Sequence, residues 1–458
     1  MNRGSATFTP RSGVLCADIS YIEGWDGPCS LHGVHHNMQS AEFQALSRDP
    51  EAMLAASSAF HELRHFYDYY GTSYGLLSIY WETVRTHSLI DLVISGRRRP
   101  KDNESHEEML SDDRYAAFLR AEVQLSYFDG PVPWLSGKAR PATYAYYSLD
   151  NVGLSRYPGY AIPIDGPDGV LVVPLAVRAL SESNAFAYQI EHIATIWGPD
   201  AGERCKSMVC GGISTARSAE LMVADFAVTK IFAASFSRAV LIALITTALD
   251  TTPEYLPAPG VIFIDHAKEI KLAAQFTASR MDLATWSFAS KAACRSRIQR
   301  GAVIGHLLNI GTPVANALAH MAILLDQAQT KHPACILTFE DIAENLGEGQ
   351  LPFPVVYSAT IDKHSTNSVS SRDTEILVQY DWLSTVAEAL WEKGTTRCPL
   401  VKRGHFSSCP MATEKCENAT FELGGIDLSP LPDCRFRNAL DRIAFGDSSD
   451  YQVNKIQD

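Results

Sequence analysis

The chain has 458 residues, of which 46% are hydrophobic and 20% charged, and it carries a formal net charge of −13. That length allows two or three domains and a sizeable core, and the composition excludes a fibrous or intrinsically disordered chain. Net negative charge of this size argues against nucleic acid as a principal partner, because contacts to phosphate need basic surface. The short basic run Arg97-Arg98-Arg99-Pro100-Lys101 reads as a solvated loop. No continuous apolar stretch follows Met1-Asn2-Arg3-Gly4-Ser5, so no secretory leader is expected. The most apolar run, Ala239 to Leu249, is too short to cross a bilayer and reads as a core helix, as does Val303 to Leu325. A cytoplasmic protein without a membrane segment is therefore expected. Its ten cysteines then read as free thiols or metal ligands rather than a disulfide framework.

Residues 1 to about 45 read as irregular, with short strands at Thr7-Phe8-Thr9 and Ser20-Tyr21-Ile22 between glycines and prolines. Cys29, His32, His35 and His36 fall here at a spacing that matches no zinc module, and a loop explains them better than a second metal. A helix is expected over 50–70. Asp49 suits its N-cap, Pro50 its first position, Glu51 the dipole of its first turn, and Gly71 the residue after its end. A second helix follows at Leu76 to Leu92, then a polar loop over Ser95 to Asp113 and a short helix at Tyr115 to Tyr127. Tyr144 to Val173 is the most strand-like stretch, with a hairpin turn read over Pro163-Ile164-Asp165-Gly166-Pro167-Asp168-Gly169. A long helix is expected from Pro174 to Trp197. Beyond it the pattern is helical over Thr215 to Thr247, Ala267 to Ser296, Arg300 to Gln327, Phe339 to Glu344 and Thr374 to Trp391. Cys205 and Cys210 lack the spacing of a metal pair and read as packed thiols.

The chemistry concentrates in His61-Glu62-Leu63-Arg64-His65. Residues four apart on a helix share a face about 6 Å apart along the axis, so both imidazoles can reach one metal ion. Glu62 is turned about 100° from His61, where it can take a proton from a water on that metal. A third ligand has to come from elsewhere. In the 174–197 helix the stripe Leu175, Ala179, Glu182, Phe186, Ile190, Ile193 and Trp197 is apolar except for Glu182. A lone carboxylate in a core-facing stripe is costly unless it is paired or binds metal, which favours Glu182; pairing with Arg178 is the plain alternative. Glu191, Glu220 and Asp225 are weaker candidates. Asp68 lies one turn beyond His65 on the same stripe, placed either to hold a ligand imidazole from behind or to sit on the surface at the helix end.

The stretch His61 to His65 resembles the zinc-binding signature of the zincin metallopeptidases, and the resemblance covers this helix. The glycine and third histidine of metzincins have no counterpart, since those positions hold Asp68 and Gly71. A glutamate from a later helix, as in gluzincins, makes Glu182 the counterpart of the third ligand, although no Asn-Glu-x-x-x-Asp sequence surrounds it. The resemblance implies a zincin-like metal-binding domain, placed over 1–200; with the helical pattern over 201–392 and the Cys-rich composition over 393–458, a mainly α (α+β) chain is expected. The resemblance also implies one catalytic Zn²⁺ on His61, His65 and Glu182, Glu62 as general base, and a peptide or protein substrate. An edge strand beside the metal helix, able to receive the substrate as a further strand, is an option for the 144–173 region. Tyr67, Tyr70 and His192 are candidates to steady the oxyanion. Cys398, Cys409, Cys416 and Cys434, with His405 among them, offer a second structural zinc or iron–sulfur site, though without a Cys-x-x-Cys pair. Two readings compete with the peptidase: a non-haem iron oxygenase using the same ligands, and a non-enzymatic helical binding or regulatory protein.

Overall fold

The computed structural model describes residues 6–17, 38–46, 49–97, 99, 110–130, 132–136, 147–148, 160–166, 169–211, 216–231, 236–250, 259–276, 297, 300–329, 355–358, 364–365, 371–397 and 420–422. The protein is mainly helical with small sheets, the expected mainly α (α+β) class. In chain order the elements are β1 (Ala6–Thr9), β2 (Val14–Ala17), α1 (Ala41–Leu46), α2 (Pro50–Ala56), α3 (Ser58–Gly71), α4 (Ser73–Ile94) and α5 (Asp113–Asp129). Then come β3 (Trp134–Ser136), β4 (Tyr147–Ser148), β5 (Tyr160–Gly166), β6 (Gly169–Pro174), α6 (Val177–Trp197), α7 (Pro199–Gly211), α8 (Ala216–Phe226) and α9 (Arg238–Leu249). The remainder are α10 (Pro259–Phe276), α11 (Pro313–Gln329), β7 (Val355–Ser358), β8 (His364–Ser365), α12 (Ser371–Lys393), β9 (Thr395–Arg397) and β10 (Thr420–Glu422).

α6 is the hub. It packs on α3, α7, α8 and α9, while α3 also meets α4, α11, β1 and β2. One hydrophobic cluster draws on residues from both sides of position 200, including Leu63, Phe66, Ile190, Ile245, Leu318 and Leu383. The order β1-β2-β7-β8 makes β1 an edge strand; β1 and β2 pair antiparallel, and β2 pairs parallel with β7. The second sheet runs β3-β6-β5-β4. Its central hairpin pairs Gly166 with Gly169, so the expected hairpin forms, but Pro163 to Gly166, read as turn, belong to β5.

Several boundaries differ from expectation, each for a local reason. The run 50–70 is two helices. Asp49 caps α2 as expected, its carboxylate accepting from Ala52 N at 2.9 Å, but the helix breaks at Ser57, which is turned out of helical geometry. Ser57 Oγ donates to Met53 O at 2.8 Å and competes with the backbone ladder. Gly71 does not follow the helix as a left-handed residue but is its last member, and Thr72 caps it. A side chain at 71 would meet Gln329 Nε2 at 2.5 Å, so glycine lets α11 approach closely. Pro174 closes β6 rather than opening α6. The helix expected over Thr215 to Thr247 is α8, a π turn (Ala227–Ile231) and then α9, started anew by the Ser237 cap. Arg300 to Gln327 is broken at Gly311, where φ is +74°. Ser20 to Ile22, residues 277–296 and Phe339 to Glu344 lie outside the described residues.

α3 and α4 meet at a sharp corner, and Gly75 makes it possible. A Cβ there would lie 2.2 Å from Asp68 O and 2.5 Å from Tyr69 Cα, both backbone. Gly75→Ala is expected to destabilise the protein by about 1–3 kcal/mol, because overpacking against a rigid backbone outweighs the ~1 kcal/mol that alanine gains in helix propensity. A urea titration checks this; an unchanged or higher midpoint would contradict the packing.

Candidate metal centre

His61, Glu62 and His65 lie in the middle of α3, and each is between 7% and 8% exposed. Phe60, Leu63, Phe66 and Tyr70 on the same helix are buried in the core and fix its rotation. α6 packs across α3 and brings Glu182 over both imidazoles. His61 Nε2 lies 3.4 Å from Glu182 Oε2, His65 Nε2 lies 3.7 Å from Glu182 Oε1, and the two Nε2 atoms are 3.2 Å apart. Ligands about 2.0–2.1 Å from a tetrahedral zinc are separated by roughly 3.3–3.4 Å. The His61–His65 and His61–Glu182 spacings are close to edges of such a tetrahedron, while His65 is 3.7 Å from the other Glu182 oxygen; two imidazole nitrogens with a carboxylate oxygen are a donor set that suits zinc. Among the described residues this is the one cluster of three or more potential ligands so converged.

The electrostatics favour positive charge at that point. Burial works against a charged His65, yet the hydrogen bond to Glu182 and the nearby carboxylates Glu62 and Asp68 raise its pKa to about 9. Burial alone would raise the Glu182 carboxyl; the two imidazoles instead hold it far below the ordinary carboxylate range. Arg178, the plain alternative partner of Glu182, pairs with Glu220 at 2.8 Å.

Behind His61, His65 and Glu182 lies a buried polar layer. His65 Nδ1 is 2.9 Å from Ser181 Oγ, which is 3.3 Å from Asp68 Oδ2. Asp68 Oδ1 accepts from Arg64 Nε at 3.0 Å and Asn184 Nδ2 at 2.8 Å, and Arg64 also donates to Thr246 Oγ1. Arg64 and Asp68 are each 2% exposed. Burial raises the Asp68 carboxyl, while Arg64, His65 and Asn184 pull it back. Asp68 therefore reaches His65 through a serine rather than directly, and it is not a surface group. Ser181, Asn184 and Arg64 went unnoticed as site residues in the sequence. The available signal was their place beside Glu182 and inside the histidine motif.

Glu62 faces the edge strand. Its Oε2 accepts from Phe8 N at 3.0 Å, and the Phe8 ring packs against Phe66 and Tyr69, each with centroids 6.1 Å away. Tyr70 ties the following turn to the same helix by donating to Pro10 O at 3.0 Å. The strand along α3 is therefore β1, whereas the β5–β6 hairpin, for which the zincin resemblance left that place as an option, packs on α8. β1 coincides with the short strand expected at Thr7-Phe8-Thr9; what the sequence did not reveal is its place against α3.

The other candidates are placed elsewhere. Glu191 pairs with Arg238 at 2.5 Å, and Asp225 with Lys206 at 2.8 Å. Tyr70 is committed to Pro10; His192 is fully buried and stacks on Phe60 at 3.8 Å; Tyr67 is 2% exposed, its phenol pushed up by burial and Tyr188. Cys205 is buried against Met53, and burial pushes its thiol to about 11. Cys29, His32, His35, His36, Cys398, His405, Cys409, Cys416 and Cys434 lie outside the described residues. No described helix is long and apolar enough to cross a membrane. The chain matches no protein-family model, no curated protein and no solved structure.

Proposed function

We propose that the protein is a zinc-dependent peptidase of the zincin type. The observation that carries this reading is the convergence of His61, His65 and Glu182, each offering one ligand atom within 4.8 Å of the others, with Glu62 next to His61 in the chain. Zinc bound there supplies Lewis acidity and lowers the pKa of a water towards ~7. Glu62 is the group placed to take that water's proton and pass it to the leaving amine. Its other role is fixed by the fold: one carboxylate oxygen is engaged by Phe8 N, so the side chain is held in one orientation. β1, the terminal strand of its sheet among the described residues, runs along α3 with its Phe8 N–H engaged by Glu62. His61 and His65 are buried and Glu182 is partly so, which limits the screening of developing charge by bulk water.

The test is digestion of a proteome-derived peptide library in water enriched in oxygen-18, with zinc-reconstituted full-length protein. Each new C-terminus is expected to carry one heavy oxygen, and dialysis against a chelator is expected to stop cleavage. A library left intact by the zinc-loaded protein overturns the reading. So does purified protein that holds stoichiometric iron and little zinc, which would favour oxygen chemistry.

A further inference from the structure

The two histidines of the centre are not supported alike. His61 Nδ1 is buried and makes no hydrogen bond among the described residues, whereas His65 Nδ1 lies 2.9 Å from Ser181 Oγ. A serine hydroxyl has one proton. Asp68 Oδ2 accepts it at 3.3 Å. Ser181 Oγ must then act as acceptor towards His65, so Nδ1 keeps a proton, and in the neutral ring that binds metal Nε2 is left with its lone pair for the point shared with His61 and Glu182. Asp68 is itself fixed by Arg64 and Asn184, and Asn184 and Arg64 both reach Thr246 Oγ1 on α9. Position 181 precedes the ligand Glu182 on α6, so one short segment supplies a ligand and the brace of another.

We propose that Ser181 is a positioning residue: it relays the Asp68–Arg64 ion pair to His65, fixes the ring's tautomer and thereby sets the metal affinity of the centre. This rests on the metal reading of the preceding subsection. Metal-bound histidines that lose such a buttress typically lose 10–100-fold in affinity. The relay makes a sharper demand, that Ser181 and Asp68 act in series.

The experiment measures zinc affinity of the full-length protein by competition with a chromophoric chelator, for wild type, Ser181→Ala, Ser181→Thr, Asp68→Asn and the Ser181→Ala/Asp68→Asn pair. Alanine suits a helix interior, and thermal unfolding in chelator gives each variant's fold independently. Ser181→Ala is expected to weaken zinc roughly 10–100-fold at a wild-type stoichiometry of one. Threonine is expected to restore most of the loss. The double variant is expected to bind about as weakly as the weaker single variant, because a series connection is already broken by either change. Affinity of Ser181→Ala within about twofold of wild type, or losses that simply add in the double variant, would overturn the relay while leaving the metal centre intact. Wild-type protein that takes up no zinc would overturn the metal reading itself, a result separable from either.

Discussion

Glu62→Gln is expected to keep a full complement of zinc and to lower peptide cleavage by roughly 10²–10⁴-fold, the range by which a positioned acid–base group contributes. Glutamine has the shape of glutamate, and its amide oxygen can still accept from Phe8 N, which glutamate meets at 3.0 Å. The strand stays anchored and the ligands His61, His65 and Glu182 are untouched. What disappears is the ability to take a proton and the negative charge beside the centre. Metal analysis and kinetics on one preparation check the claim. A variant that cleaves as fast as wild type removes Glu62 from the chemistry, and one that loses its zinc shows that the side chain was structural.

The largest expected effect on stability is at Arg64. Its guanidinium is 2% exposed and meets Asp68 Oδ1 at 2.9 Å and Thr246 Oγ1 at 2.5 Å. Methionine at 64 would fill much of the volume but leave the Asp68 charge buried without its cation. Removing one partner of a buried ion pair costs about 3–5 kcal/mol. Arg85→Met provides the contrast. Arg85 pairs with Glu82, Glu122 and Glu388, but those carboxylates are 28–44% exposed, so each pair there contributes about 0–1 kcal/mol. Urea unfolding of both variants in the presence of chelator separates stability from metal binding. Equal losses at the two positions would contradict the account of Arg64.

The two predictions show which parts of the protein were legible in the sequence. His61 and His65 are four apart on a helix, and local geometry alone puts them on one face. Glu182 stood out because the energetic cost of a carboxylate in an apolar stripe is visible in a one-dimensional pattern. The class of the fold followed from helical periodicity in the same way. Arg64 was hidden by its position: within a helix its neighbours are known, but the polar pocket that receives it is assembled from α6 and α9, more than a hundred residues away. Ser181 was hidden because a serine has no periodic signature and acts here only through two partners. Phe8 was the least legible, since its contribution to the site is a backbone N–H, which every residue but proline possesses. The helix breaks at Ser57 and Gly311, and the close approach at Gly71, likewise depend on side-chain hydrogen bonds and tertiary contacts that periodicity does not record.

X-ray diffraction across the zinc absorption edge, on crystals grown without chelator, tests the central claim most directly. One anomalous peak is expected about 2.0–2.2 Å from His61 Nε2, His65 Nε2 and a Glu182 carboxylate oxygen. Crystals of zinc-treated protein with no peak there, and with the two imidazoles still hydrogen-bonded to Glu182, would contradict it.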